Sequence, residues 1–149
     1  MESKDFQSVA HKVFKNNGFD KIKSRYYRKG KQFLCEIQLQ KSCYSSAFYV
    51  NFDFFLGEFD APYIINRDCG SSYTPFVGGR FYFGEEYGYL CEYSNWSEDQ
   101  LLHILLENMD KSILPPFTLG KQYLQDHYGS LYKATLNIAK SEALLFSEQ

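Results

Sequence analysis

Tryptophan occurs once and proline four times in 149 residues, and nowhere does the chain gather the roughly 20 consecutive apolar residues that a bilayer-spanning helix needs. No membrane partner is expected. Met1 to Phe14 has neither the basic start nor the apolar run of a secretory signal, so a cytoplasmic location is expected. The four cysteines, Cys35, Cys43, Cys69 and Cys91, lack the close pairing of a zinc ribbon, and a domain of this length needs no disulfide staple. Free thiols are expected, with no metal and no cofactor. Neither sign of charge dominates: 16 basic against 18 acidic residues leave a net charge of −2, which argues against a nucleic-acid partner. Phosphate-loop and dinucleotide fingerprints are also missing, and Gly78-Gly79-Arg80 reads as a turn.

What the chain does hold is the composition of a globular protein, 44% hydrophobic and 23% charged, at the size of one domain spanning residues 1–149. Aromatic residues make up 19% of it, with 14 Phe and 13 Tyr. Such side chains favour pleated surfaces and bury much area each, so a sheet faced by helices is expected. Tyrosines left at the surface would suit a contact role.

Phe6, Val9, Ala10, Val13 and Phe14 fall on one face of an N-terminal helix, which Asn17-Gly18 stops. A strand over 23–28 and a turn at Lys29-Gly30-Lys31 lead into a second strand. There Phe33, Cys35, Ile37 and Leu39 face the core, and Glu36, Gln38 and Gln40 form a polar row outside. Phe48, Val50, Phe52, Phe54 and Leu56 continue as a third strand, Gly57 to Gly79 reads as a long loop, and 80–83 and 87–93 as one or two further strands. Ser97 opens a helix with a capping box to Gln100 and an apolar stripe at Leu102, Leu105, Leu106 and Met109, ended by Pro115-Pro116. Helical pattern resumes from Leu119 to Phe146, broken near Gly129-Ser130, with Leu131, Thr135, Ile138 and Leu145 inward. The fold class is α+β: an N-terminal helix, an antiparallel meander of four to five strands, and C-terminal helices packed on one sheet face.

No residue set calls for a catalytic role. His11, His103 and His127 lie on helices away from the strands that carry Cys35 and Cys91, and a thiol within apolar alternation is usually a small hydrophobe. The adjacent Asp126 and His127 do not face each other on a helix, and Glu85-Glu86 reads as a solvated turn.

Charge is laid out unevenly. Lys12 to Lys31 holds eight basic residues against Asp20 alone, whereas Phe81 to Asp110 holds Glu85, Glu86, Glu92, Glu98, Asp99, Glu107 and Asp110 with no Lys or Arg. The acidic segment could steer a basic protein. Candidate binding residues are therefore Glu85, Glu86 and Glu92 there, and Gln38, Gln40, Tyr44 and Asn51 on and beside the polar strand row. The expected function is a non-catalytic protein-binding module, an immunity-type inhibitor of a toxin being one form. The alternative is a small-ligand binder or enzyme with a pocket between the sheet and the 57–79 loop, drawing on Gln40, Asn51, Arg67 or Asp68.

Phe6, Asn17-Gly18-Phe19, Tyr26-Tyr27-Arg28, Gln38-Leu39-Gln40-Lys41-Ser42 and Phe48-Tyr49-Val50-Asn51-Phe52 together resemble the bacterial family of unknown function DUF4304, chiefly over residues 1–60. The resemblance implies a fold and a bacterial setting, and the partner expected of the acidic segment is then another bacterial protein. It brings no catalytic residue.

Overall fold

A computed structural model describes residues 1–59 and 74–147. Helix α1, Ser3–Asn16, opens on a capping box in which the Glu2 amide donates to the Asp5 carboxylate at 3.0 Å. Phe6, Ala10, Val13 and Phe14 are buried along its inner face. It closes as the sequence predicts: the Phe19 amide reaches back to the Phe14 carbonyl and the Gly18 amide to Lys15, with Gly18 left-handed at φ 87°. Only a residue without a Cβ takes that conformation freely.

Five strands follow, β1 Asp20–Ile22, β2 Arg25–Gly30, β3 Phe33–Lys41, β4 Phe48–Leu56 and β5 Phe76–Arg80, paired antiparallel in chain order. The short β1 and its two-residue turn were not legible in the sequence. The β2–β3 turn falls at Lys31-Gln32, two residues later than expected, and β5 begins inside the stretch read as loop. Residues 81–93 add no strand, only a bridge from Cys91 to Phe48 and a 3-10 turn at Tyr93–Asn95.

Register places Tyr26, Ile37 and Phe52 side by side on one sheet face, and Arg28, Cys35, Phe54 and Val77 beside them. This inner face meets the helices. Phe6 stacks on Phe48 with centroids 4.7 Å apart, Phe14 stands edge-on to Tyr26, and Tyr132 stands edge-on to both Phe52 and Phe54. Aromatic pairs in these geometries contribute beyond the area they bury. The outer face is not the uniform polar surface expected of it: Tyr27, Leu34 and Phe55 form a second buried cluster, and Glu36 is only 3% exposed.

Helix α2, Glu98–Asn108, has the predicted Ser97–Gln100 capping box, with bonds of 3.1 and 2.9 Å. Its stripe is rotated from the expected one. Leu101, Leu105 and Met109 are buried, whereas Leu102 and Leu106 face outward. Pro115-Pro116 does not end the helical run. The chain passes through a π turn, Met109–Ile113, closed by the Leu114 amide on the Met109 carbonyl at 2.8 Å, and the prolines open α3, Pro115–Leu119. A helix start leaves its first amides unpaired anyway, so proline is tolerated there. Helices α4, Lys121–Asp126, and α5, Ile138–Leu145, complete the chain. Between them Lys133 makes a single bridge to Gly78 at the edge of the sheet; Thr135 and Ile138 are exposed, against the inward placement expected, while Leu145 is buried.

Cys35 and Cys91 are fully buried and Cys43 is exposed; Cys69 lies outside the described residues. Burial, then the charges of Asp53 and Glu36, pushes the Cys35 thiol well up against the opposing pull of Arg28. Burial and Glu92 push Cys91 up to about 12. In the native protein Cys43 should react with a thiol reagent at least about 100-fold faster than Cys35 or Cys91, because only a thiolate attacks and, of these three, only Cys43 is reachable. Mass spectrometry of a time course reads this directly, and equal rates would contradict the burial.

Candidate functional site

Two rows of outward side chains cross the outer face of the sheet. In one, Arg25, Gln38, Asn51 and Arg80 stand opposite one another on β2 to β5; in the next, Tyr27, Glu36, Asp53 and Gly78 do. One end of the first row is tied together and to the pair beyond it, Gln40 and Tyr49. Arg80 Nε donates to Asn51 Oδ1 at 2.8 Å, Asn51 Nδ2 donates to Gln40 Oε1 at 2.8 Å, and the Arg80 guanidinium lies 4.2 Å from the centre of the Tyr49 ring. Cross-strand pairing therefore brings the predicted Gln40 and Asn51 into one network, with Gln38 in register beside Asn51. Arg80 and Tyr49, which complete it, were missed; the signal lay in treating Gly78-Gly79-Arg80 as a strand.

Glu36 was expected in an exposed row and is instead buried, where Arg25 Nη1 donates to its Oε1 at 2.9 Å. Its Oε2 has no hydrogen-bond partner among the described residues. Asp53, opposite it, is held up from 3.8 to about 7 by burial and by the Glu36 charge, against the pull of Arg25. Gly78, lacking a side chain, leaves the space that the Asp53 carboxylate occupies.

The remaining predicted positions lie apart. Tyr44 sits wholly exposed in the β3–β4 connection. Glu85 and Glu86 occupy the turn that the Gly88 amide closes on the Gly84 carbonyl, and Glu92 follows Cys91 and accepts from Asn95 Nδ2 at 3.3 Å. No described hydrogen bond joins these four to the Gln40–Asn51 network. Arg67 and Asp68, invoked for a pocket under the 57–79 loop, lie outside the described residues.

The acidic segment gains a feature that periodicity concealed. On α2, Leu102 and Leu106 are 42% and 39% exposed and stand one turn apart, with Glu98, Asp99, Glu107 and Asp110 also exposed on the same stretch. His103 Nε2 and Glu107 Oε1 are 3.0 Å apart on this surface.

The histidines pair with tyrosine, carboxylate or main chain: His11 Nδ1 with Tyr26 Oη at 2.8 Å, His103 with Glu107, and His127 Nδ1 with the Tyr123 carbonyl at 3.0 Å. None of these contacts places a base on a cysteine. Among the described residues no three His, Cys, Asp or Glu side chains gather as metal ligands, and no helix is long and apolar enough to cross a membrane.

The family model described as "Domain of unknown function (DUF4304)" matches residues 10–119, well over half of the chain and far beyond the segment that carries the resemblance in the sequence. No curated protein and no solved structure matches.

Proposed function

We propose that this chain, which belongs to the DUF4304 family, is a non-catalytic protein-binding module that presents the outward face of α2 to a basic protein surface. The observation that carries this reading is the exposed Leu102–Leu106 pair, set within a segment holding seven acidic residues and no Lys or Arg. Helix leucines normally turn inward, and α2 already buries Leu101 and Leu105 for its own packing. The outer pair offers apolar contact area, and the surrounding carboxylates would raise the on-rate of a cationic partner. An inhibitor of a nucleic-acid-degrading toxin fits this description, because such a target carries a cationic surface for its own substrate.

The test is affinity capture from the source cells with the wild-type protein, a Leu102→Ser/Leu106→Ser variant and a Glu98→Lys/Glu107→Lys variant. Both pairs are exposed, so the fold should survive. A basic partner held by the wild type should be bound about tenfold or more weakly by each variant, and by the wild type itself at raised salt. Capture of the same protein by all three, unchanged by salt, would remove α2 from the interface.

A further inference from the structure

Strand β5 forms one edge of the sheet, and along it and the two residues beyond it three outward main-chain positions are already satisfied. The Phe76 amide donates to Ser141 Oγ at 3.2 Å. Gly78 exchanges two bonds with the Lys133 main chain, at 3.0 and 2.9 Å. Further along, Asn108 takes both groups of Tyr82: its Oδ1 accepts from the amide and its Nδ2 donates to the carbonyl, each at 2.9 Å. Alternation along the strand sets the Arg80 amide and carbonyl on this same edge, between Gly78 and Tyr82. The neighbouring chain does not continue the ladder to Arg80: the Leu131 amide is committed to the His127 carbonyl at 2.9 Å, and although the Leu131 carbonyl packs close to Gly79, no backbone bond joins Leu131 to Arg80 among the described residues.

A groove of about 700 Å³ opens beside this stretch, with Gly78, Gly79 and Arg80 along it. Arg80, Lys111 and Lys133 line it, with Tyr82, Tyr89 and Ser130, and no carboxylate is among its described lining residues although the chain as a whole is acidic. Tyr82 and Tyr89 are 42% and 53% exposed and stand edge to face, 5.5 Å between centroids, so ring surface remains open for a planar group to stack on.

We propose that this groove binds a nucleoside monophosphate. The phosphate dianion sits between the Lys111 and Lys133 ammonium groups and accepts from the Arg80 amide, taking the place of the missing ladder partner, and the base stacks on Tyr82 and Tyr89. Two lysines suit a dianion better than a single carboxylate, and the groove is of a size that holds a nucleotide. The anion is met by an open strand edge, which explains why no glycine-rich phosphate motif marks the site. This surface uses none of the residues assigned to protein binding on α2, so either can fail alone.

Calorimetric titration of the full chain with adenosine and uridine monophosphates, adenosine, inorganic phosphate and a short single-stranded oligonucleotide tests the proposal. A monophosphate should bind at least about tenfold more tightly than either adenosine or phosphate, and Lys111→Ala and Lys133→Ala should each weaken it about tenfold. Tyr89→Ala should weaken the nucleotide while leaving the residual affinity for phosphate unchanged. All three positions are exposed, and circular dichroism confirms that each variant is folded. No monophosphate binding, binding indifferent to these substitutions, or an oligonucleotide preferred by orders of magnitude would each overturn it.

Discussion

Gly78→Ala should lower stability by roughly 3 kcal/mol and the melting temperature by about 10 °C, a large effect for one methyl group. The constraint at Gly78 is space. A Cβ there would run into the Phe52 carbonyl oxygen and Asp53 Oδ1 and approach Asp53 Cα to 3.1 Å, so β4 and β5 would have to part. A backbone atom cannot rotate out of the way as the end of a long side chain can. Thermal denaturation of the variant reads the loss, and a shift below about 2 °C would mean that the strands are packed less closely than described.

Stability should also fall as pH rises from 5 to 8, the reverse of the usual behaviour of a paired carboxylate. Asp53 is held up to about 7 from an ordinary 3.8. Between those values the folded protein keeps a proton that the unfolded chain has released, so ionising Asp53 opposes folding, and the penalty is complete once pH exceeds 7. Asp53 keeps some contact with solvent, which screens the effect, and about 2 kcal/mol is a fair size for it. Asp53→Asn mimics the protonated side chain. Urea midpoints at pH 5, 6, 7 and 8 should show the variant gaining on the wild type as pH rises. A constant difference between the two proteins would place the Asp53 titration elsewhere.

Local chemistry made much of this fold legible in the sequence. The stop at Asn17-Gly18-Phe19 and the cap at Ser97 each depend on a few neighbouring residues, and the alternation of β3 and β4 on a single period. Errors arose where tertiary contacts decide. Leucines at 101, 102, 105 and 106 allow two helical stripes, and only packing selects the first and third. Glu36 obeys the alternation and faces outward, yet Arg25 lets it be buried there. Gly78-Gly79 looked like a turn because glycine is rare within strands; what it supplies is room for Asp53 and for Phe52. Of the candidate site, Gln40 and Asn51 could be paired because they lie on consecutive strands. The groove beside β5 could not be foreseen, since its lining comes from 78–89, 108–112 and 129–133, and nothing local to any one segment marks the others.

The meander order means that each strand finds its partner next to it in the chain, and only the last join is distant. Two-residue turns link β1 to β2 and β2 to β3, Ser42 to Ala47 links β3 to β4, and Gly57 to Pro75 links β4 to β5. Strands β1 to β4 therefore meet through partners close in sequence, and only the pairing of β5 with β4 brings together residues far apart along the chain. Such local pairing keeps the entropy lost before the first contacts form small, so β1 to β4 can assemble ahead of the edge on which the groove is built.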